Sequence, residues 1–232
     1  MVRVSARRRT DEDIMLDVVA GLRWDARVDA SDVRVEVRKG RVRLTGTVPS
    51  YTARAAAVEQ AWSTQGVLDV EDALQVVVKQ NVPGGQDDDL MAKANDIIGW
   101  HLCMDNCDVQ AVVQDGVLEL QGTVDEHWKV RYAERLLAGI RGIREVRNNL
   151  AVALDRSVAD EDLAEEITAA LSRNSLVDED HVKVRVKDGI VTLHGCVACW
   201  HEADAAREVA SAAPGTLEVR DQLELFPTEE GA

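Results

Sequence analysis

Apolar and polar residues alternate in three similar stretches of this 232-residue chain, which are residues 40–48, 116–124 and 189–197. In each stretch a glycine is followed by apolar residues at every second position, which predicts a β-strand with one buried face. A second glycine lies on that buried face, at Gly46, Gly122 and Gly195. Because a glycine inside a strand usually marks the close approach of another backbone, we expect a helix to cross the sheet at these glycines.

Helical and hairpin patterns surround the first of these strands. Apolar residues between positions 11 and 23 have the spacing of one helix face, with acidic residues in the first turn. Valines alternate with charged residues from 33 to 37, and Lys39-Gly40 then forms the turn of a hairpin. Pro49-Ser50 ends the strand and supplies a cap for an alanine-rich helix, after which residues 70–78 predict a third strand.

The same order of elements recurs twice more at constant spacing. In every copy an alanine and then a glycine follow the last valine of the strand at fixed distances. The glycines, which we expect to stop the second helix of each copy, are Gly66, Gly142 and Gly215. The sequence therefore predicts an α+β protein of three tandem α-β-β-α-β units, each a three-stranded mixed sheet with two helices on one face.

The repeat and the Gly- and Pro-rich segments divide the chain. We expect a disordered N-terminus at 1–10, units at 11–79, 89–154 and 159–226, linkers at 80–88 and 155–158, and a tail at 227–232. The first helices of the second and third units are predicted at 89–102 and 160–171. Leu22 and Val33 are 11 positions apart, whereas Leu102 and Val109 are 7 apart. The second unit is therefore predicted to lack four residues after its first helix.

Charge restricts the partners that the chain can bind. Its 42 acidic and 27 basic residues give a formal net charge of -15, and no basic patch is apparent beyond the three arginines at positions 7–9. We therefore expect no nucleic-acid partner, and at most weak membrane binding, so that a protein or a small ion is the expected partner. No signal-peptide pattern and no run of 18 apolar residues occurs, which predicts a cytoplasmic protein.

Four cysteines are the candidate chemistry of the chain. They form two pairs with histidines nearby, Cys103 with Cys107 and Cys196 with Cys199. Thiolate and imidazole suit a tetrahedral zinc ion, and the topology predicts each pair at the same edge of its own sheet, so zinc between two such edges is one hypothesis. The others are a redox pair at Cys196 and Cys199, and small residues without chemistry at the ends of elements.

Tryptophan is the main aromatic residue of the chain, and we expect none of its five positions to be equivalent in the repeat or to belong to a shared core. The main expectation is that they are partly buried surface residues, and the alternative is that some of them cover junctions between units, where a partner would gain contact area. They are Trp24, Trp62, Trp100, Trp128 and Trp200. Motifs of nucleotide-binding, metalloprotease and nucleophile-elbow enzymes do not occur, so no catalytic residue and no cofactor other than zinc is predicted.

The repeated pattern resembles the BON domain family over nearly the whole chain. The residues that carry the resemblance are Gly40, Val42, Leu44, Gly46, Val48, Ala57, Gly66, Val70 and Leu74 in the first copy, Gly116, Leu120, Gly122, Val124, Ala133, Gly142, Val146, Asn148 and Leu150 in the second, and Gly189, Leu193, Gly195, Val197, Ala206, Gly215, Val219 and Leu223 in the third. Departures from the family pattern are Asp72 and Asp221 in place of Asn, and Thr216 in place of Val or Ile.

The resemblance implies a non-enzymatic protein. Members of the family are proposed to bind phospholipid or envelope surfaces, to act as periplasmic stress proteins or, in a relative that also carries a LysM domain, to bind potassium. No ion-binding pattern is visible in this sequence. The main hypothesis is a non-catalytic binding or scaffold protein of stress physiology that acts through protein, ion or envelope contacts. The alternative is a zinc-binding or thiol-redox protein that uses the four cysteines.

Overall fold

A computed structural model describes residues 9–78, 87–101, 104, 107–153 and 158–226, which form three successive units. The first unit contains α1 (Asp11–Trp24), β1 (Val33–Arg38), β2 (Arg41–Val48), α2 (Tyr51–Trp62) and β3 (Asp69–Val76). The second contains α3 (Asp87–Trp100), β4 (Asp108–Gln114), β5 (Val117–Val124), α4 (Trp128–Leu137) and β6 (Glu145–Val152). The third contains α5 (Asp160–Ser172), β7 (Val182–Lys187), β8 (Ile190–Val197), α6 (Trp200–Ala212) and β9 (Glu218–Leu225).

Each unit is the predicted α-β-β-α-β module. The second strand lies in the middle of each sheet and pairs antiparallel with the first strand and parallel with the third. Both helices cover one sheet face, where the alternating apolar side chains form a separate core for each unit. The other face is open, so each sheet has one apolar and one polar side. The α+β class and the mixed sheets are thus confirmed.

A carboxylate at the start of the first helix holds the hairpin turn in every unit. Lys39 and Gly40 both have positive φ, the conformation of a two-residue hairpin turn. The Asp11 carboxylate accepts hydrogen bonds from both of their backbone amides, at 2.7 and 2.9 Å. Asp87 and Asp160 hold the other two turns in the same way. These bonds lower the pKa of Asp11 and tie the first helix to the hairpin.

The reason for the glycine inside the middle strand differs from the one predicted. Gly46, Gly122 and Gly195 have φ values of +115°, +116° and +139°. A Cβ at Gly122 would lie 1.8 Å from the carbonyl oxygen of Asp108, and those at the other two would meet the corresponding carbonyl at 1.9 Å. The backbone that comes close therefore belongs to the residue at the start of the first strand or just before it, and the predicted helix crossing is wrong.

The second set of glycines lies in a turn beyond the second helix. α2 ends at Trp62, four positions before Gly66, whose φ is +91°. A Cβ at Gly66 would lie 3.1 Å from Cδ1 of Ile14 in α1. Gly142 and Gly215 have the same left-handed conformation and face Leu90 and Val158. These glycines therefore let the connection to the third strand pass close to the first helix, rather than stopping the second helix.

The first helix of the second unit begins two residues earlier than predicted, at Asp87, and ends at Trp100. In each unit the clamping aspartate precedes the turn glycine by 29 positions, as for Asp11 and Gly40. The second unit has therefore lost no residue, and Ile98, not Leu102, is the counterpart of Leu22. Leu102 lies outside the described residues. In the described parts of the chain no helix combines the length and apolarity needed to cross a membrane.

Candidate functional site

The second helices of the three units meet one another. At its first turn α2 contacts α4, where the Tyr51 hydroxyl donates to Glu134 at 2.9 Å and the Thr52 hydroxyl donates to the carbonyl of Ala138 at 2.8 Å. At its other end α2 contacts the first turn of α6, since the rings of Trp62 and Trp200 stack with centroids 6.3 Å apart. α2 therefore runs from the end of α4 to the beginning of α6.

Ion pairs join α4 to α6. Arg131 pairs with Asp204 at 3.2 Å, and Arg135 pairs with Glu208 at 3.5 Å. Both members of each pair occupy the same repeat position, seven or eleven residues after the last valine of the middle strand. α4 and α6 consequently lie side by side, parallel and in register. Units two and three are thus joined by charged contacts, whereas units one and three are joined by an aromatic stack.

Arg207 of α6 connects these contacts. Its guanidinium pairs with Asp204 at 3.1 Å and with Asp221 of β9 at 3.3 Å. It also lies 5.8 Å from the centroid of the Trp200 ring, within cation–π range. Arg207 therefore holds Asp204 in place for Arg131 while it supports the tryptophan that stacks on the first unit.

His127, at the start of α4, lies at the boundary between the second and third units. Burial lowers the pKa of His127, and Arg131 lowers it further, whereas Glu218 of β9 raises it. Its Nδ1 is shielded from solvent and has no hydrogen-bond partner within the described residues. The neutral imidazole is therefore the favoured form at this boundary.

The first cysteine site lies in the second unit, and the structure describes only one of its two cysteines. Cys107 precedes β4, and its thiol is 3.5 Å from Oδ1 of Asp125 at the far end of β5, which confirms that it lies at the predicted sheet edge. Lys129, which is buried, pairs with Asp125 at 2.6 Å and lies 4.0 Å from the Cys107 sulfur. Burial raises the pKa of the Cys107 thiol, which disfavours the reactive thiolate. Cys103 lies outside the described residues.

The other two cysteines are exposed free thiols. Cys196 lies near the end of β8, where its amide donates to the carbonyl of His181, and Cys199 caps the start of α6 through its backbone alone. No group of three or more His, Cys, Asp or Glu side chains within the described ranges is arranged to hold a metal. These residues therefore give the zinc and redox alternatives no support, and the four-cysteine site stays a prediction.

Two tryptophans project from the surface at equivalent positions of the repeat, contrary to expectation. Trp24 and Trp100 are the last residues of α1 and α3, each 13 positions after the clamping aspartate, and are 89% and 87% exposed. Arg173 occupies this position in the third unit. Counting from the clamping aspartates would have revealed the equivalence in the sequence. The predicted role of tryptophan at unit junctions is confirmed for Trp62 and Trp200.

Basic residues cluster on the open sheet faces, a feature that the sequence reading missed. On the first unit, Arg41 pairs with Asp69 at 3.5 Å and Arg43 with Glu71 at 3.3 Å. The acidic residues of β3 therefore neutralise part of the positive charge of β2. The basic residues of the outer strands β1 and β7 are Arg34, Arg38, Lys183, Arg185 and Lys187. Their alternation with valine is visible in the sequence. We call these two rows of basic residues the cationic strips. Positive charge is thus concentrated on these strands, although the protein as a whole has a net charge of -15.

Comparisons with known proteins agree with the repeat. A family model described as "BON domain" matches residues 10–78, 86–153 and 159–226. The chain is similar to osmotically-inducible protein Y of Escherichia coli (strain K12), with 28% identity over 190 residues, 78% of this chain and 92% of that protein. Two structures of CdsD, a structural protein of the type III secretion system of Chlamydia trachomatis, match 94% of this chain, and 95% and 100% of their own. Their identities are 17% and 15%, and their TM-scores are 0.26 and 0.25.

Proposed function

The chain belongs to the BON domain family, and from this membership we propose that it is a non-catalytic binding protein of the osmotic stress response. Two observations support the proposal. A family relative that is similar over most of both chains is named for its osmotic induction. In addition, the three units contact one another through their second helices, which leaves their sheet faces and first helices available to a partner.

The exposed tryptophans are the main evidence for a binding role. Trp24 and Trp100 end equivalent helices and are almost fully accessible to solvent. A large exposed aromatic ring is not favoured by folding alone, and tryptophan contributes more to protein interfaces than most residues do. Their repetition in two units fits a partner that contacts both. We therefore propose a protein partner and assign Trp24 and Trp100 as its principal contacts.

Growth under osmotic stress tests this proposal. A source strain that lacks the gene is complemented with the parent chain or with the double variant Trp24→Arg/Trp100→Arg. Arginine is chosen because Arg173 already occupies the equivalent position in the third unit. We expect the parent chain to restore growth at high osmolarity and the double variant to fail, with unchanged circular dichroism and melting temperature.

Leu16→Arg is the matched control, since Leu16 is another exposed apolar residue of α1. It should restore growth as the parent does. Full complementation by the double variant would exclude the tryptophans as the binding contacts. A deletion strain that grows normally at high osmolarity would contradict the stress role itself.

A further inference from the structure

The three outer strands β1, β4 and β7 occupy equivalent sheet edges but carry different side chains. On the open face, β1 presents Arg34, Glu36 and Arg38, and β7 presents Lys183, Arg185 and Lys187. β4 presents Gln110, Val112 and Gln114 at the corresponding positions, and Val112 is 42% exposed. Charged residues on an edge strand oppose pairing with another strand. The second unit therefore lacks the protection that the other two edges have.

A side-chain amide occupies part of the β4 edge. Asn95 of α3 accepts a hydrogen bond from the Ala111 amide at 3.0 Å and donates one to the Ala111 carbonyl at 2.9 Å. These backbone groups therefore point away from β5, as do those of Val109 and Val113 two positions away. The Asn95 amide makes the two hydrogen bonds that one residue of an added antiparallel strand would make. Val19 and Thr168 occupy the corresponding positions of α1 and α5.

The β4 sequence is compatible with antiparallel pairing to a second copy of itself. With Val112 opposite Val112 of the second copy, Gln110 faces Gln114 and Ala111 faces Val113. The outward-pointing backbone groups of Ala111 and Val113 then face each other, as a hydrogen-bonded antiparallel pair requires. Apolar residues meet on the helix-covered face and amides on the open face, and no like charges are opposed between positions 110 and 114.

The same arrangement is unfavourable at the other two edges. Antiparallel pairing of two β1 strands about Glu36 would oppose the two glutamates and would place Arg34 against Arg38. Pairing of two β7 strands about Arg185 would oppose the two arginines and would place Lys183 against Lys187. Like charges directly opposite one another destabilise a strand pair. Among the three equivalent edges, β4 is therefore the one suited to self-association.

We propose that two copies of the chain associate through their β4 strands, which forms a continuous six-stranded sheet with a two-fold axis at Val112. The Asn95 amide occupies the edge in the monomer and is displaced from Ala111 when the second strand binds. This interface goes beyond the binding role proposed above and does not depend on it. It is isologous, so it closes at two copies instead of forming a fibre.

Sedimentation velocity of the full chain over a wide range of concentration tests the proposal. The parent should shift from monomer to dimer as the concentration rises. Val112→Lys, which places a charge where the third unit has Arg185, should abolish the dimer. Asn95→Val, which copies Val19 of the first unit, should strengthen it about tenfold because the competing hydrogen bonds are lost.

Glu36→Lys is the matched control, since it introduces the same residue at the equivalent position of β1, and it should dimerise as the parent does. Circular dichroism confirms that the variants are folded. Amide exchange at Val109 and Val113 should slow as the concentration rises. A parent chain that stays monomeric overturns the proposal, even if Asn95→Val dimerises, because Asn95 would then only block the edge. Unchanged dimerisation of Val112→Lys would equally exclude this interface.

Discussion

Any side chain at Gly122 is unfavourable for two reasons. The φ of this residue is +116°, and its Cβ would overlap the carbonyl oxygen of Asp108. We expect Gly122→Ala to lower the free energy of unfolding by about 2–4 kcal/mol through backbone strain and steric overlap. Gly99→Ala is the control, because nothing lies within 4 Å of its added Cβ and alanine favours the helix, by up to about 1 kcal/mol. Urea unfolding compares the two variants, and equal stability would contradict the close approach.

A second single residue, His127, makes the free energy of unfolding depend on pH. Since burial lowers the pKa of His127 in the folded chain, the unfolded chain, with a histidine pKa near 6.5, binds the proton first. The stabilisation from the neutral imidazole is therefore present above pH 6.5 and is lost as the pH falls through 6.5 toward the folded pKa. His127→Gln should flatten this part of the pH profile. Melting temperatures across the range check it, and parallel profiles for parent and variant would exclude His127.

At the scale of the element, one aspartate side chain holds the hairpin turn of each unit. Asp87 accepts two backbone hydrogen bonds from the turn at Asp115 and Gly116, 2.7 and 3.0 Å long. We expect Asp87→Ala to cost about 1 kcal/mol of stability, because the two turn amides lose a charged acceptor. Asp88→Ala, at the exposed neighbour, is the control. Amide exchange at residues 115 and 116 should accelerate in the first variant alone, and slow exchange in both would refute the clamp.

At the scale of the whole molecule, the Trp62–Trp200 stack connects the first unit to the third. Trp62→Ala removes the stack, and an aromatic pair of this kind contributes about 0.5–1.5 kcal/mol beyond its buried area. We expect the first unit to separate more often from the other two, which small-angle scattering would record as a larger radius of gyration. Trp24→Ala, at an exposed tryptophan, should leave the radius unchanged. The same radius in both variants would show that the stack does not hold the units together.

The net charge leads to a second prediction about the whole molecule. A charge of -15 repels anionic headgroups, although the cationic strips on β1 and β7 provide local attraction. We expect little co-sedimentation with vesicles that contain phosphatidylserine at physiological salt. The control is Lys183→Glu/Lys187→Glu, which removes part of the third unit's strip and should abolish any residual binding. Strong binding by the parent would show that the strips outweigh the net charge.

The fold was predictable to the level of each unit because its signals are local. Alternation along a strand, helix periodicity and glycines at fixed distances depend on residues that are near one another in the chain. The clamp between Asp11 and the hairpin amides was not predicted, because 28 or 29 positions separate its partners. For the same reason the alternation predicts Gly122 on the buried face with Leu118, Leu120 and Val124, whereas Gly122 itself is exposed and the backbone close to it is that of Asp108, not of a helix.

The candidate binding surfaces were only partly visible in the sequence. The cysteine pairs are conspicuous in the sequence because thiols and imidazoles are chemically distinctive, yet Cys196 and Cys199 are exposed and burial raises the pKa of Cys107. Trp24 and Trp100 are equivalent only when the first helix of the second unit begins at Asp87, two residues before its predicted start. Side-chain type is encoded in the sequence, whereas accessibility depends on what the fold places nearby.

The sequence by itself determined the three α-β-β-α-β units, their order and the apolar row of each middle strand, because these features follow from periodicity between residues that are near one another in the chain. Only the tertiary structure decided that α2, α4 and α6 meet, that Trp62 lies on Trp200 and that Asn95 covers the edge at Ala111. These contacts join residues far apart in the chain. Their formation depends on distances and directions in space, which periodicity along the chain does not record.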